Sequence, residues 1–134
     1  MKRILIVDDE PYVIRVMRLA LERSGYQVDE AANGMQALEY LEQQHPDVMI
    51  TDIDMPQLNG KDLCMKVNSQ LPDRSFHIIV LTARAELEHR EWSAAIPGLD
   101  FMEKPVSIRQ LMLRLDACFA DKLTNEERAC RNAS

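Results

Sequence analysis

Two hydrophobic periods alternate along this chain. Short runs rich in apolar and β-branched residues occupy Arg3–Val7, Gln27–Ala31, Asp47–Thr51, His77–Leu81 and Asp100–Met102. Stretches with helical spacing follow them at Pro11–Ser24, Gly34–Gln44, Gly60–Ser69, Ala85–Ala95 and Ser107–Ala120. In the first of these, Val13, Val16, Met17, Ala20 and Leu21 are predicted to line one face, with Arg15, Arg18, Glu22 and Arg23 mostly elsewhere. Pro11 suits the first helical turn, where its missing N–H has no partner to lose. Gly25 is a natural stop after Ser24. Ser107 and Gln110 have the spacing of a capping box that opens the last helix.

The order is five β-α units in succession. The runs "ILIV", "VMI" and "IIVL" are apolar without alternation, as strands covered on both faces must be. Crossovers of one hand then give a parallel sheet between two helical layers, an α/β fold. The pattern leaves the strand order open. After Ala120 the composition turns polar, "DKLTNEERACRNAS". One domain is therefore expected over 1–120, with 121–134 as a tail that extends the last helix or frays.

Composition narrows the class. A chain of 134 residues can bury one core but not two, and 46% apolar residues disfavour disorder. No apolar run approaches the ~20 residues of a membrane span. The run Ile4–Val7 is too short for a signal peptide and meets Asp8-Asp9-Glu10 at once. A cytoplasmic protein is expected. Three cysteines, an odd count without a C-x-x-C, suit reduced thiols better than a disulfide frame or a zinc site. His45, His77 and His89 are too far apart in sequence to suggest a metal motif. A net charge of −6 with scattered basic residues argues against nucleic-acid binding by this chain.

The chemistry concentrates where the strands end. "VMITDIDMPQLNG" drives a buried strand into Asp52, and an ionised carboxylate is costly to desolvate without a partner. In open α/β sheets, sites form at the carboxyl ends of the strands. Asp8 and Asp9 follow the first strand, Asp52 ends the third, Thr82 follows the fourth and Lys104 the fifth. Three carboxylates in one cleft need a counter-charge. Hard oxygen ligands suit Mg²⁺, and Lys104 adds a second positive charge. A carboxylate so placed can accept a phosphoryl group, and the Thr82 hydroxyl could hydrogen-bond the new phosphate. Each residue also has a plainer reading. Asp8 and Asp9 could be helix caps, Asp52 a solvated strand end and Asp54 a turn residue. Thr82 could be an ordinary strand-end hydroxyl and Lys104 a solvated lysine. Phe101 could be core packing, and Trp92 half-buried packing or a partner surface.

Five segments in order resemble the receiver domain of two-component response regulators: "ILIVDDEP", "AANGMQAL", "PDVMITDIDMPQLNG", "IIVLTA" and "FMEKP". The likeness runs from about Lys2 to Phe119. It implies a flavodoxin-like sheet in the order 2-1-3-4-5. It implies that Asp52 accepts a phosphoryl group from a histidine kinase or a histidine phosphotransfer protein. Asp9 and Asp52 would bind Mg²⁺ directly with the backbone carbonyl of Asp54, and Asp8 would act through water. Thr82 and Lys104 would contact the phosphate, Phe101 would be the aromatic switch, and the Lys104–Pro105 peptide would be cis. Helix four, strand five and helix five would form the output surface for a downstream protein or for an output domain outside this chain. Phosphorylation-dependent homodimerisation is open. The domain would catalyse only its own phosphorylation and dephosphorylation, a switch rather than a metabolic enzyme, with no membrane contact.

The sequence departs from the family pattern at Gln36 (commonly Glu), at Asn59 (commonly Asp) and at Pro97-Gly98, where a Gly-Ala pair is usual. Pro97 should stop helix four early. Two other readings stay open. One is a receiver-like binding module that is never phosphorylated. The other is a haloacid-dehalogenase-like phosphohydrolase with Asp52 and Asp54 as its acid pair, although that pair comes on the third strand and no cap domain fits.

Overall fold

Each of the five expected strands forms, and all pair in parallel. The computed structural model describes residues 2–55, 57–83 and 90–133, with side chains as far as residue 120 apart from that of residue 90. The elements are β1 (Arg3–Val7), α1 (Pro11–Arg23), β2 (Gln27–Ala31), α2 (Gly34–Gln43), β3 (Val48–Asp52), α3 (Gly60–Gln70), β4 (His77–Thr82), α4 (Arg90–Ser93), β5 (Leu99–Glu103) and α5 (Ile108–Ala133). The sheet order is β2-β1-β3-β4-β5. The chain therefore moves outward once to β2 and then returns past β1, which opens a crevice between the ends of β1 and β3.

The unbroken apolar strands are explained by two separate cores. Side chains alternate across a sheet. Leu5, Val7, Met49, Ile78 and Val80 pack on one face with Ala37 and Leu41 of α2 and Leu63 and Val67 of α3. Ile4, Ile6, Val48, Ile50, Ile79 and Leu81 pack on the other with Ile14, Met17 and Leu21 of α1 and Leu111 and Leu115 of α5. Cys64 and Cys118 are buried free thiols, and burial pushes the Cys64 thiol up to about 12, far from reactivity.

Helix ends follow the sequence signals closely. α1 stops in a Schellman arrangement. Tyr26 N–H donates to the Leu21 carbonyl at 3.1 Å and Gly25 N–H to that of Glu22 at 3.0 Å. Gly25 takes a φ of +92° there. The Ser107 hydroxyl accepts from the Gln110 N–H at 3.3 Å and caps α5.

Three expectations are corrected or refined. The face of α1 turned to the core is Ile14, Met17 and Leu21, not a face through Val16, which is 40% exposed. Residues 14, 17 and 21 lie on one stripe, and Val16 stands two positions, about 200°, round from Ile14. It belongs instead with Tyr12 and Leu19 on an apolar stripe that faces outward. Of the expected fourth helix, residues 85–89 lie outside the described residues. From Arg90 on it ends at Ser93, before the expected Ala95 and ahead of Pro97, which cannot continue a helix. Thr82 is the last residue of β4 rather than the first beyond it. Of the two alternatives for the polar tail, the helix is continued, to Ala133.

The two stripes of α1 are separable by mutation. Ile14→Ala, opening a cavity, should lower unfolding stability by about 2–5 kcal/mol. Val16→Ala should change it by no more than about 0.5 kcal/mol. Urea denaturation of both variants checks this, and equal losses would restore Val16 to the core face.

Candidate functional site

Strand register builds the site. Val7 of β1 pairs with Thr51 of β3, so Asp8 and Asp52 leave the sheet side by side. Asp52 pairs with Leu81, which puts Thr82 one step further along the next strand. Thr82 pairs with Glu103, the last residue of β5, which puts Lys104 one step past the strand end. The Lys104 N–H donates to the Thr82 carbonyl at 2.8 Å, and the peptide that follows, Lys104–Pro105, is cis.

Asp8, Asp9 and Asp52 each bring a carboxylate oxygen to one spot, all within 4.8 Å of one another. Asp8 and Asp52 are buried while Asp9 is exposed. The Lys104 ammonium lies 2.7 Å from Asp52 Oδ1. The same oxygen accepts the backbone N–H of Ile53 at 2.8 Å. Asp8 Oδ1 accepts the Glu10 N–H at 2.9 Å, so its cap-like bond and its place in the cluster coexist. Asp8 Oδ2 is buried with no hydrogen-bond partner. A buried carboxylate oxygen left unpaired is costly, and native structures rarely keep one without a reason.

The electrostatics follow. Burial pushes the Asp8 carboxyl above its ordinary value, and the nearby charges of Asp52 and Asp9 push the same way. The Glu10 N–H and Lys104 oppose them and lose. Burial works against the charge on Lys104, yet its hydrogen bond to Asp52 and the charges of Asp52, Asp8 and Glu10 together hold its pKa above the usual lysine range. Three carboxylates facing one ammonium leave an excess of two negative charges. One hard divalent cation would balance them, and Asp8 Oδ2 is an oxygen without an occupation. The donor set, all carboxylate oxygen and partly open to water, fits such an ion.

The structure thus brings Asp8, Asp9, Asp52 and Lys104 together. Thr82 is buried at the adjacent strand end. The Asp54 carboxylate is exposed and is not one of the three clustered acids. Phe101 lies on β5 opposite Val80, half-buried, with its ring edge-on to Trp92 at 5.7 Å between centroids. Trp92 is buried, so packing is its role here rather than a free partner surface.

Several contributors were not visible in the residue types. The Ile53 and Glu10 N–H groups act through the main chain, which any residue supplies. The Thr51 hydroxyl donates to the Asp52 carbonyl at 2.9 Å. Gly60 is required by close approach, because a Cβ there would lie 2.4 Å from the Asp52 carbonyl oxygen. Gln36 and Asn59, two departures from the family pattern, both serve helix starts. Gln36 accepts the Ala32 N–H at 2.8 Å and Asn59 accepts the Asp62 N–H at 2.8 Å.

A parallel flavodoxin-like sheet with an acidic pocket at its switch point defines the class. The chain belongs to the response regulator receiver domain family, whose profile matches residues 4–116. It is 35% identical over 116 residues to the alkaline phosphatase synthesis transcriptional regulatory protein PhoP of Bacillus subtilis (strain 168), covering 87% of this chain and 48% of that protein. The chain spans about half the length of the curated relatives it matches. The chemotaxis protein CheY4 of Vibrio cholerae superposes with a TM-score of 0.81 at 27% identity, covering 88% of this chain and 98% of its own. The response regulator protein TrrA of Thermotoga maritima, solved in complex with Mg²⁺ and BeF, gives 0.77 at 30% identity, covering 88% and 99%.

The crowding of charge has a measurable sign. A carboxyl whose folded pKa is raised binds its proton more tightly in the folded state. It therefore subtracts stability as pH rises above its ordinary value of 3.8, and subtracts nothing well below it. Asp8→Asn keeps the acceptor for the Glu10 N–H and removes the charge. In chelator-treated protein at pH 7 it should raise Tm by about 3 °C or more. The difference should shrink as pH falls toward 3.8 and vanish well below it. A variant less stable than wild type at pH 7 would show that the orphaned oxygen is not a burden.

Proposed function

We propose that this chain is a phosphorylation-dependent signalling switch, with Asp52 accepting a phosphoryl group from a histidine of a kinase or phosphotransfer protein. The observation that carries it is the Asp52 carboxylate held 2.7 Å from Lys104 inside a pocket of three acids. An Asp52 oxygen attacks phosphorus. The P–N bond to the donor imidazole breaks, and the imidazole keeps the electron pair. The product is an acyl phosphate on Asp52. Asp9, Asp52 and the Asp54 carbonyl would hold Mg²⁺, with Asp8 acting through water, and the ion would supply charge that neutralises the phosphoryl oxygens. That TrrA, 30% identical, was solved in complex with Mg²⁺ and BeF supports a Mg²⁺-dependent phosphoacceptor reading of this pocket. Lys104 follows the transferred charge, and the Thr82 hydroxyl hydrogen-bonds a phosphoryl oxygen.

The donor protein has an apolar surface to dock on. A groove of about 560 Å³ runs from Tyr12, Val13 and Val16 of α1 to Lys104, Pro105 and Ile108. It opens beside the lysine that contacts Asp52, so a partner seated there reaches the site. After transfer, movement of Thr82 toward the phosphate lets Phe101 repack against Trp92. The surface of α4, β5 and α5 then changes its affinity for a partner. That partner is a downstream protein, a second copy of this chain, or an output domain such as the extra length of the transcriptional regulator PhoP suggests. The domain is a switch and turns over no metabolic substrate. Among the described residues no helix is long and apolar enough to cross a membrane. The setting proposed for the switch is cytoplasmic.

The test is direct. The protein is incubated with acetyl phosphate, with and without Mg²⁺, while intact mass and Trp92 fluorescence are followed. One labile, Mg²⁺-dependent phosphoryl adduct is expected on wild type and none on Asp52→Asn. An adduct that persists in Asp52→Asn, or none on wild type together with no response to beryllofluoride, overturns the reading. The second result leaves an unphosphorylated binding module.

A further inference from the structure

The segment that leaves β3 carries Asp54, and it is pressed from two sides by glycines. Gly60 closes one side, against Asp52, and its N–H donates to the Ile53 carbonyl at 2.8 Å. Gly34, the first residue of α2, closes the other. A Cβ at Gly34 would lie 2.6 Å from the Leu58 carbonyl oxygen, 2.8 Å from Leu58 Cβ and 3.0 Å from its Cδ2. The first of these contacts is with backbone, which cannot swing aside as a side chain can. Gly34 does not occupy the left-handed region, so it is there for space alone.

Both partners in this contact are held. The start of α2 is locked by two reciprocal bonds. The Asn33 side chain accepts the Gln36 N–H at 2.9 Å, and the Gln36 side chain accepts the Ala32 N–H at 2.8 Å. Leu58 is buried in the same core cluster as Ala37 and Leu41 of α2. Next to it, Gln57 has a φ of +68°, the one positive φ outside glycine among the described residues. Such a conformation persists where its surroundings over-determine it. The contact of α2 with Leu58 is a surrounding of that kind.

We infer that Gly34 is a positioning residue for the acidic site. Through Leu58, the first turn of α2 sets the backbone of the segment after Asp52, and so the aim of the Asp54 carbonyl and the Asp52 carboxylate. The inference rests on the reading of this pocket as a Mg²⁺-dependent phosphoacceptor site. A methyl group at residue 34 pushes Leu58 outward and misaligns oxygens it never touches.

The experiment compares Gly34→Ala with Glu39→Gly, which weakens the same helix on its exposed face without a steric push. Mg²⁺ affinity is measured by calorimetry on the folded proteins, alongside Tm and the rate of phosphorylation by acetyl phosphate. Both variants should lower Tm. Gly34→Ala alone should weaken Mg²⁺ binding by about tenfold, the loss usual when a support of metal ligands moves, and should slow phosphorylation. Wild-type Mg²⁺ affinity in Gly34→Ala, or an equal loss in Glu39→Gly, overturns the inference. Should Gly34→Ala fail to fold, Leu58→Ala loosens the same contact from the other side and is read against the same control. If wild-type protein itself binds no Mg²⁺, it is the phosphoacceptor reading that falls.

Discussion

Repulsion between three carboxylates at the end of a parallel sheet is the constraint on which the rest of this structure turns. Asp8 and Asp52 are buried, Asp9 stands beside them, and Lys104 is the ammonium that reaches Asp52. Sheet and helices must hold these acids together against their mutual field. That requires stability from elsewhere, and the two apolar layers supply it. A fully buried aliphatic side chain contributes on the order of 2 kcal/mol, and the strands place such side chains on both faces. The central strands are therefore almost wholly apolar before the chemistry begins, with Thr51 the buried polar exception on β3.

Parallel pairing turns this stability into placement. Each strand is tied to its neighbour by register, so Asp8, Asp52, Thr82 and Lys104 step across the sheet end with little freedom of their own. Sites built on rigid elements are held more tightly than sites on loops. The residues outside that discipline are the ones supported by other means. Asp54 lies on a connecting segment, and the glycines at 34 and 60 allow that segment to lie close against the helices.

Much of this was legible in the sequence, because the signals were redundant. Five strand runs, the polar residues that end them, the helix stop at Gly25 and the cap at Ser107 are all local patterns. The strand order was legible only through family resemblance, since periodicity says nothing about which strands are neighbours. The α1 face is legible only in part, because that helix has two apolar stripes: Met17 and Leu21 of the expected face are buried, Val16 is not, and Ile14 joins them. Val16 fits the outward one with Tyr12 and Leu19 as well as it fits an inward one, and only the packing of Ile14 against the sheet decides between them. The end of helix four was foreseen from Pro97, but the residue at which it stops depends on tertiary contacts. The contact of Gly34 with Leu58 was not legible at all. Its spacing is long, its partner is a backbone oxygen, and a glycine in the first turn of a helix has several ordinary explanations.

The same charge imbalance bears on how such a switch keeps two states close in free energy. A phosphoryl group adds about −1.5 to −2 charges at neutral pH. On the proposed reading it arrives in a pocket that already holds two more negative charges than positive ones. The phosphorylated form is then favourable only with a divalent ion and Lys104 both engaged, and the unphosphorylated form is itself eased by the same ion. On that reading neither state is comfortable without the metal, and the proposed repacking of Thr82 and Phe101 would decide between surfaces. A site with balanced charge would bind its phosphate and stay put. On the proposed reading, the uncompensated acids are what couple a change of occupant in the pocket to the packing beyond β4.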